Sequence, residues 1–191
     1  MRRRFGILVL ALLASQAQGC GGKKHQATFV HPMVDLGAIR TVAVLPFENM
    51  TGNPEAASKV HGIFLIELLS TGAFDVIEPG RVTKVLQVSG IKSTESLDSP
   101  DFQSLSKELG VDGLFLGTVV DFAEVRSGNT PAPEVSIQVR LVESVSGVTV
   151  WSNSDSKSGA TLSRQLIGVG GQSLTEATHE VVRRQLETLF P

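Results

Sequence analysis

Apolar residues are spaced in three ways along the chain, and each spacing predicts a different element. Residues 5–14 (FGILVLALLA) are apolar without a break. Arg2, Arg3 and Arg4 precede them, and the small residues Ala17 and Gly19 follow. A basic start, a short apolar run and small residues at its end are the marks of an export signal. A membrane-spanning helix needs roughly 20 apolar residues, so this run reads as a signal rather than a span. Residues 21–38 (GGKKHQATFVHPMVDLGA) have no period and contain Gly, Pro and Lys, which predicts a tether.

Periodic segments begin near Arg40. Residues 41–47 (TVAVLPF) are apolar on both faces and predict a buried strand. Asn53-Pro54-Glu55 predicts a helix start, with Asn as the cap, Pro in the first turn and an acid at the positive end of the helix dipole. That helix runs to about residue 70, with Val60, Ile63, Phe64 and Leu68 on its apolar face, and Thr71-Gly72 ends it. Residues 74–77 predict a second strand and residues 79–88 a short helix. Ser99-Pro100-Asp101 opens a further helix to Leu109, stopped by Gly110.

The second half has a strand period. Residues 113–122 are apolar on both faces, and Gly113 and Gly117 leave room for close packing. Residues 134–145 alternate, with Val135, Ile137, Val139 and Leu141 on one face and Ser136, Gln138 and Arg140 on the other. Residues 125–133, with two prolines, predict the loop between these strands. Ser146-Gly147 turns the chain into a partner strand over residues 148–152. Residues 175–190 predict a last helix; Ser173 and Glu176 have capping-box spacing, and Leu174, Ala177, Val181 and Val182 form its apolar face. The order β-α-β-α-α-β-β-β-α predicts an α/β (α+β) single domain over residues 39–191: a mixed sheet of about five strands with helices packed on it. Val42, Val44, Ile63, Leu68, Val139, Leu141 and Val181 are the expected core. A serine-rich stretch, residues 152–163, is too short to be a low-complexity domain.

Charge and composition narrow the function. The net charge of −2, the absence of Tyr and a single Trp argue against nucleic-acid binding. One cysteine excludes an internal disulfide framework and a Cys-cluster zinc site. That cysteine, Cys20, falls where the signal ends. A free thiol is a liability in an exported protein, but directly after a cleavage site it is a point for attaching lipid. The expected organisation is a signal peptide over residues 1–19 cleaved after Gly19, then Cys20 and a tether to residue 38, then the domain.

Catalytic chemistry is hard to assemble from this chain. His179-Glu180 begins like a zincin helix, but Arg183 stands where the second histidine belongs, which predicts a solvated helix face. His25, His31 and His61 have no ligand spacing. Gly168, Gly170 and Gly171 precede a helix without the G-K-[ST] of a phosphate loop, so they predict a turn. No G-x-S-x-G elbow occurs. Glu48 and Asp75, near predicted strand ends, read as ordinary solvated carboxylates. No catalytic residue, cofactor or metal is expected. Trp151 is either a packing residue or an interface anchor. Asn49, Met50 and Thr51 follow the carboxyl end of the first predicted strand, where α/β sheets often carry recognition loops. Together with Trp151 they form the candidate partner surface.

Two resemblances extend this reading. Ala17-Gln18-Gly19-Cys20 resembles the lipobox of bacterial lipoproteins, whose cysteine becomes the acylated first residue; Ala17 and Gln18 depart from the preferred Leu and small residue. Gly21, rather than aspartate, after the cysteine implies outer-membrane anchoring with the domain in the periplasm. TVAVLPFENMTGNPE, FDVIEPGRVTKVL and LVESVSGVTVWS resemble a superfamily of periplasmic α/β domains. It includes the curli-secretion lipoprotein family CsgG, the penicillin-binding-protein activator family LpoB and the TolB-type N-terminal domain. The resemblance implies no cofactor and no enzymatic activity. It implies an adaptor or assembly factor that contacts a protein partner of an envelope machine for secretion or peptidoglycan synthesis. The curli family forms an oligomeric pore. Two extra membrane hairpins would take roughly 40 residues, and this chain has no such surplus beyond its sheet. A homo-oligomeric channel subunit is therefore the alternative, and an envelope hydrolase the third reading.

Overall fold

The computed structural model describes residues 26–127, 130–158 and 172–190. Seven strands form one mixed sheet: β1 (Ala27–Val30), β2 (Thr41–Val44), β3 (Glu48–Asn49), β4 (Asp75–Val76), β5 (Gly113–Ser127), β6 (Thr130–Glu143) and β7 (Thr149–Ser158). Four helices flank it: α1 (Ala56–Thr71), α2 (Pro79–Val88), α3 (Ser99–Leu109) and α4 (Leu174–Glu187). The spatial order is β1-β7-β6-β5-β2-β4, and β3 also pairs with β5. Pairing is parallel among β2, β3, β4 and β5, and antiparallel among β5, β6, β7 and β1. The expected mixed sheet and element order are present, with two more strands than the sequence predicts.

The first added strand is β1. It lies within the predicted tether and pairs antiparallel with β7, Phe29 opposite Ser152 and Val30 opposite Trp151. All four of its residues are exposed. An edge strand without a buried face has no apolar alternation, which is why its pattern read as tether. The second is β3. Residues 41–47 are not one strand, because Pro46 has no N–H to donate. Leu45 N still donates to the Phe115 carbonyl at 2.9 Å, and pairing then resumes at Glu48 opposite Thr118. The five residues from Val44 to Glu48 face the four from Phe115 to Thr118, so the strand bulges. The bulge turns Phe47 onto Gly117, where a Cβ would lie 2.5 Å from the Phe47 ring. That contact is the close packing expected of Gly117.

Two helix starts shift. Asn53 does not cap α1; its Oδ1 accepts from Glu55 N at 3.0 Å, and the helix begins at Ala56. Asp98, not Ser99, caps α3, exchanging bonds of 3.1 Å with Asp101. Ser173 and Glu176 form the capping box expected for α4. Both long strands outrun their predicted ends. Pro131 and Pro133, assigned to a loop by sequence, lie in β6 opposite Arg126 and Glu124. β7 ends at Ser158 opposite Glu134. Among the described residues this end of β6 therefore has a partner on one side only, where proline is tolerated.

Two cores form, one on each face of the sheet. α1 and α4 cover Val42, Val44, Phe115, Ile137, Val139, Leu141 and Trp151 with Val60, Phe64, Leu68, Val181 and Val182. α2 and α3 cover Ala43, Leu45, Leu114, Leu116 and Val142 with Val82, Leu86, Phe102, Leu105 and Leu109. Of the expected core, Val42, Val44, Leu68, Val139, Leu141 and Val181 are buried, and Ile63 is half-buried at its margin. No helix among the described residues is long and apolar enough to cross a membrane.

Candidate functional site

The loop after β3 is exposed but fastened. Asn49 Oδ1 accepts from Thr51 N at 3.0 Å and from Thr51 Oγ1 at 2.8 Å, while Asn49 Nδ2 donates to the Asn53 carbonyl at 2.8 Å. Thr51 Oγ1 accepts from Asn53 N at 3.1 Å. These short polar side chains mimic turn hydrogen bonds, as Asn and Thr commonly do. Met50 N donates to the Val119 carbonyl at 2.9 Å, and the Met50 side chain stands 68% exposed at the tip. Asn49 and Thr51 are thus the braces of the loop, and Met50 is its presented group.

Beside the loop, Glu48 is not the solvated carboxylate that the sequence suggests. Its Oε1 accepts from Thr94 N at 2.6 Å, Ser93 Oγ at 2.9 Å and Thr94 Oγ1 at 3.1 Å. Burial pushes its carboxyl up, but these hydrogen bonds together outweigh burial and hold it below the usual carboxylate range. Glu48 therefore pins the α2–α3 connection to the sheet. Asp75 lies exposed in the edge strand β4.

Trp151 does not join this surface. Its ring is 0% exposed, packed edge-on against Phe115 at a centroid separation of 6.3 Å. Its Nε1 donates to Thr188 Oγ1 at 3.2 Å. β6 lies between β7 and β5, so the residue is also remote in the sheet from the β3 loop. Trp151 is a core residue and not an interface anchor.

The zincin-like residues are engaged in ion pairs. His179 Nδ1 lies 2.5 Å from Glu67 Oε1, and Arg183 Nε donates to Glu67 Oε2 at 2.9 Å. The Arg183 hydrogen bond leads in holding the Glu67 carboxyl below its usual range; burial opposes it, and His179 adds to it. Glu180 pairs with Lys157, and its Oε1 accepts from Arg184 Nη1 at 2.8 Å. Arg184 Nε donates to Asp155 Oδ2 at 2.8 Å. The predicted solvated face of α4 is instead a bridge from α1 to β7. Sequence reasoning missed Glu67, although it follows Phe64 by three and Val60 by seven and so falls on the buried stripe of α1. His179 and Arg183, four apart, present one helix face to it.

The remaining histidines separate. His31 sits after β1, its ring edge-on to Phe29 at 6.3 Å. His61 lies on α1 against Phe47 at 5.4 Å, and burial lowers its ring pKa below the usual value. Among the described residues no group of three or more His, Cys, Asp and Glu is placed to hold a metal. Gly19, Cys20, His25, Gly168, Gly170 and Gly171 lie outside the described residues.

No protein-family model and no curated protein sequence matches the chain. Solved structures do match its fold. The PelC dodecamer from Paraburkholderia phytofirmans superposes with a TM-score of 0.61 over 87% of this chain and 97% of that chain, at 17% identity. Lipoprotein GNA1162 from Neisseria meningitidis gives 0.52 over 68% and 90%, at 19% identity. At these identities the likeness shows a shared fold. The LpoB C-terminal domain from Salmonella enterica gives 0.49 over 68% and 88%, at 13% identity.

Proposed function

We propose that this chain is a lipoprotein anchored in the outer membrane through Cys20, acting in the periplasm as a non-enzymatic adaptor or assembly factor. The observation that carries the reading is the position of the only cysteine, directly after a basic and apolar leader. Stable anchoring takes more than one acyl chain, which a fully acylated N-terminal cysteine supplies. The fold shared with a solved lipoprotein supports the reading. So does the engagement of Glu48, Glu67 and Glu180 in structural hydrogen bonds and ion pairs. Envelope partners contact this domain through the Met50 loop, whose braced backbone presents one flexible apolar side chain.

Two outcomes are expected. Cys20→Ser should abolish labelling by a fatty-acid analogue and release the protein from the membrane fraction. An unlabelled wild-type protein would sink the lipoprotein reading. Met50→Glu should weaken in-cell crosslinking to envelope proteins severalfold while the circular dichroism spectrum stays unchanged, because the side chain makes no core contact. Identical crosslinking patterns would place the contact elsewhere.

A second reading, a subunit of a homo-oligomeric ring, is favoured by the likeness to a protein solved as a dodecamer. Size-exclusion of the detergent-extracted protein separates the two: a ring elutes at many times the mass of a single chain, an adaptor near one or two.

A further inference from the structure

The serine-rich stretch noted in the sequence has a structural place that the adaptor reading leaves unused. In β7, Trp151, Asn153 and Asp155 face α4 and are buried, while Ser152, Ser154 and Ser156 point to the other side. On that side α2 and α3 cover only the half of the sheet near β2 and β5. The rest is a polar surface in register. One row, beginning beside the covered Leu116, is Arg140, Ser152 and Phe29, and the next is Thr118, Gln138, Ser154 and Ala27.

A trough of about 300 Å³ opens on these rows, lined by Arg140, Gln138, Thr118, Ser152, Thr94 and Glu95 among others. Arg140 is its distinctive member. Its guanidinium stacks 5.4 Å from the Phe102 ring centroid, which fixes its direction. Among the described residues it makes no ion pair within 4.0 Å and no side-chain hydrogen bond, although it is half-buried. Burial lowers its pKa, and the charge of Glu95 raises it. The side chains of Gln138, Thr118 and Ser152 likewise have no hydrogen-bond partner among the described residues. A partly desolvated cation beside hydroxyl and amide groups that have no protein partner is a surface suited to a polar, anionic ligand. The volume is at the small end of ligand pockets, about 300–1,000 Å³, which suits a single ring.

We propose that this trough binds a carboxylate-bearing saccharide, its carboxylate on the Arg140 guanidinium and its hydroxyls on Gln138, Thr118, Ser152 and the Glu95 carboxylate. Phe29, outside the trough but opposite Ser152 in register, is 47% exposed on the same sheet face. A peptide carboxylate fits less well, because the lining is hydroxyl and amide rather than a pocket for an apolar side chain. The proposal goes beyond the adaptor reading and depends on neither the lipid nor a protein partner.

The test titrates the detergent-solubilised full chain with N-acetylmuramic acid and with N-acetylglucosamine, a related sugar without the carboxylate, following amide shifts by NMR. The sugar acid should bind saturably, and the neutral sugar about tenfold more weakly. Arg140→Gln should cost about tenfold in affinity for the sugar acid and remove its preference over the neutral sugar. Gln138→Ala, at an exposed side chain, should cost severalfold without loss of fold. It carries the test if Arg140→Gln fails to fold. Absence of saturable binding, unchanged affinity in a folded variant, or tighter binding of a short peptide with a free C-terminal carboxylate would each overturn the proposal.

Discussion

Trp151→Ala should destabilise the domain by about 3–5 kcal/mol, the usual cost of emptying a buried aromatic site. The ring is fully enclosed between Phe115 and the helices, so the hole left behind has little way to collapse. The substitution also removes the indole N–H that Thr188 Oγ1 accepts at 3.2 Å, leaving it the Asn153 amide at 3.3 Å. A melting temperature lower by on the order of 10 °C follows for a domain of this size. Trp151→Phe keeps most of the packing and loses the hydrogen bond, worth about 1 kcal/mol. Thermal or urea unfolding measured by circular dichroism gives both numbers. A loss under 1 kcal/mol for the alanine variant would mean that the ring is not part of the core. The chain has a single tryptophan, so wild-type fluorescence reports this site alone and should shift to the red as the domain unfolds.

Arg184→Met is the second large effect. The Asp155 side chain is 0% exposed, and Arg184 is the cation that meets it. Asp155 Oδ1 also accepts from Ser156 N at 2.8 Å, which orients the carboxylate but does not neutralise it. Removing the arginine leaves a buried charge without its partner, a change that typically costs about 3–5 kcal/mol. Glu180 keeps Lys157, so the damage should concentrate on Asp155. Adding Asp155→Asn to Arg184→Met should then recover a good part of the loss, because the buried charge goes with it. If the double variant is no more stable than the single one, the cost lies in the packing of the arginine stem and not in the charge.

Both effects arise in β7 and α4, where local pattern is least informative. Val139 and Leu141 alternate with Gln138 and Arg140, so the face of β6 was readable from period alone. In β7 the inward positions are Trp151, Asn153 and Asp155, and the outward ones are serines. Polar residues on both faces hide the alternation, so the strand was cut short at Ser152. Glu67 was hidden for a similar reason: a carboxylate on an apolar stripe breaks the pattern unless its partners on α4 are known. Pro46 shows the opposite case, where a single residue signals a break in pairing that the surrounding apolar run conceals.

The sequence by itself determined the elements whose signal is local. Capping at α4, the stops at Gly72 and Gly110, the apolar faces of α1 and β6 and the small residue at Gly117 depend on neighbours within a few positions, and all are present in the structure. It also determined the placing of the sole cysteine after an apolar leader. The tertiary structure alone decided which residues share a site. Trp151 went to the core because β7 lies inside the sheet, with β1 outside it. Met50 stayed exposed because Asn49 and Thr51 brace the loop locally. Ser152 joined Arg140 and Gln138, which already share a face of β6, only through the register of β6 against β7. Contacts of that kind join residues distant in sequence, and their energies come from burial and partners that no single segment contains.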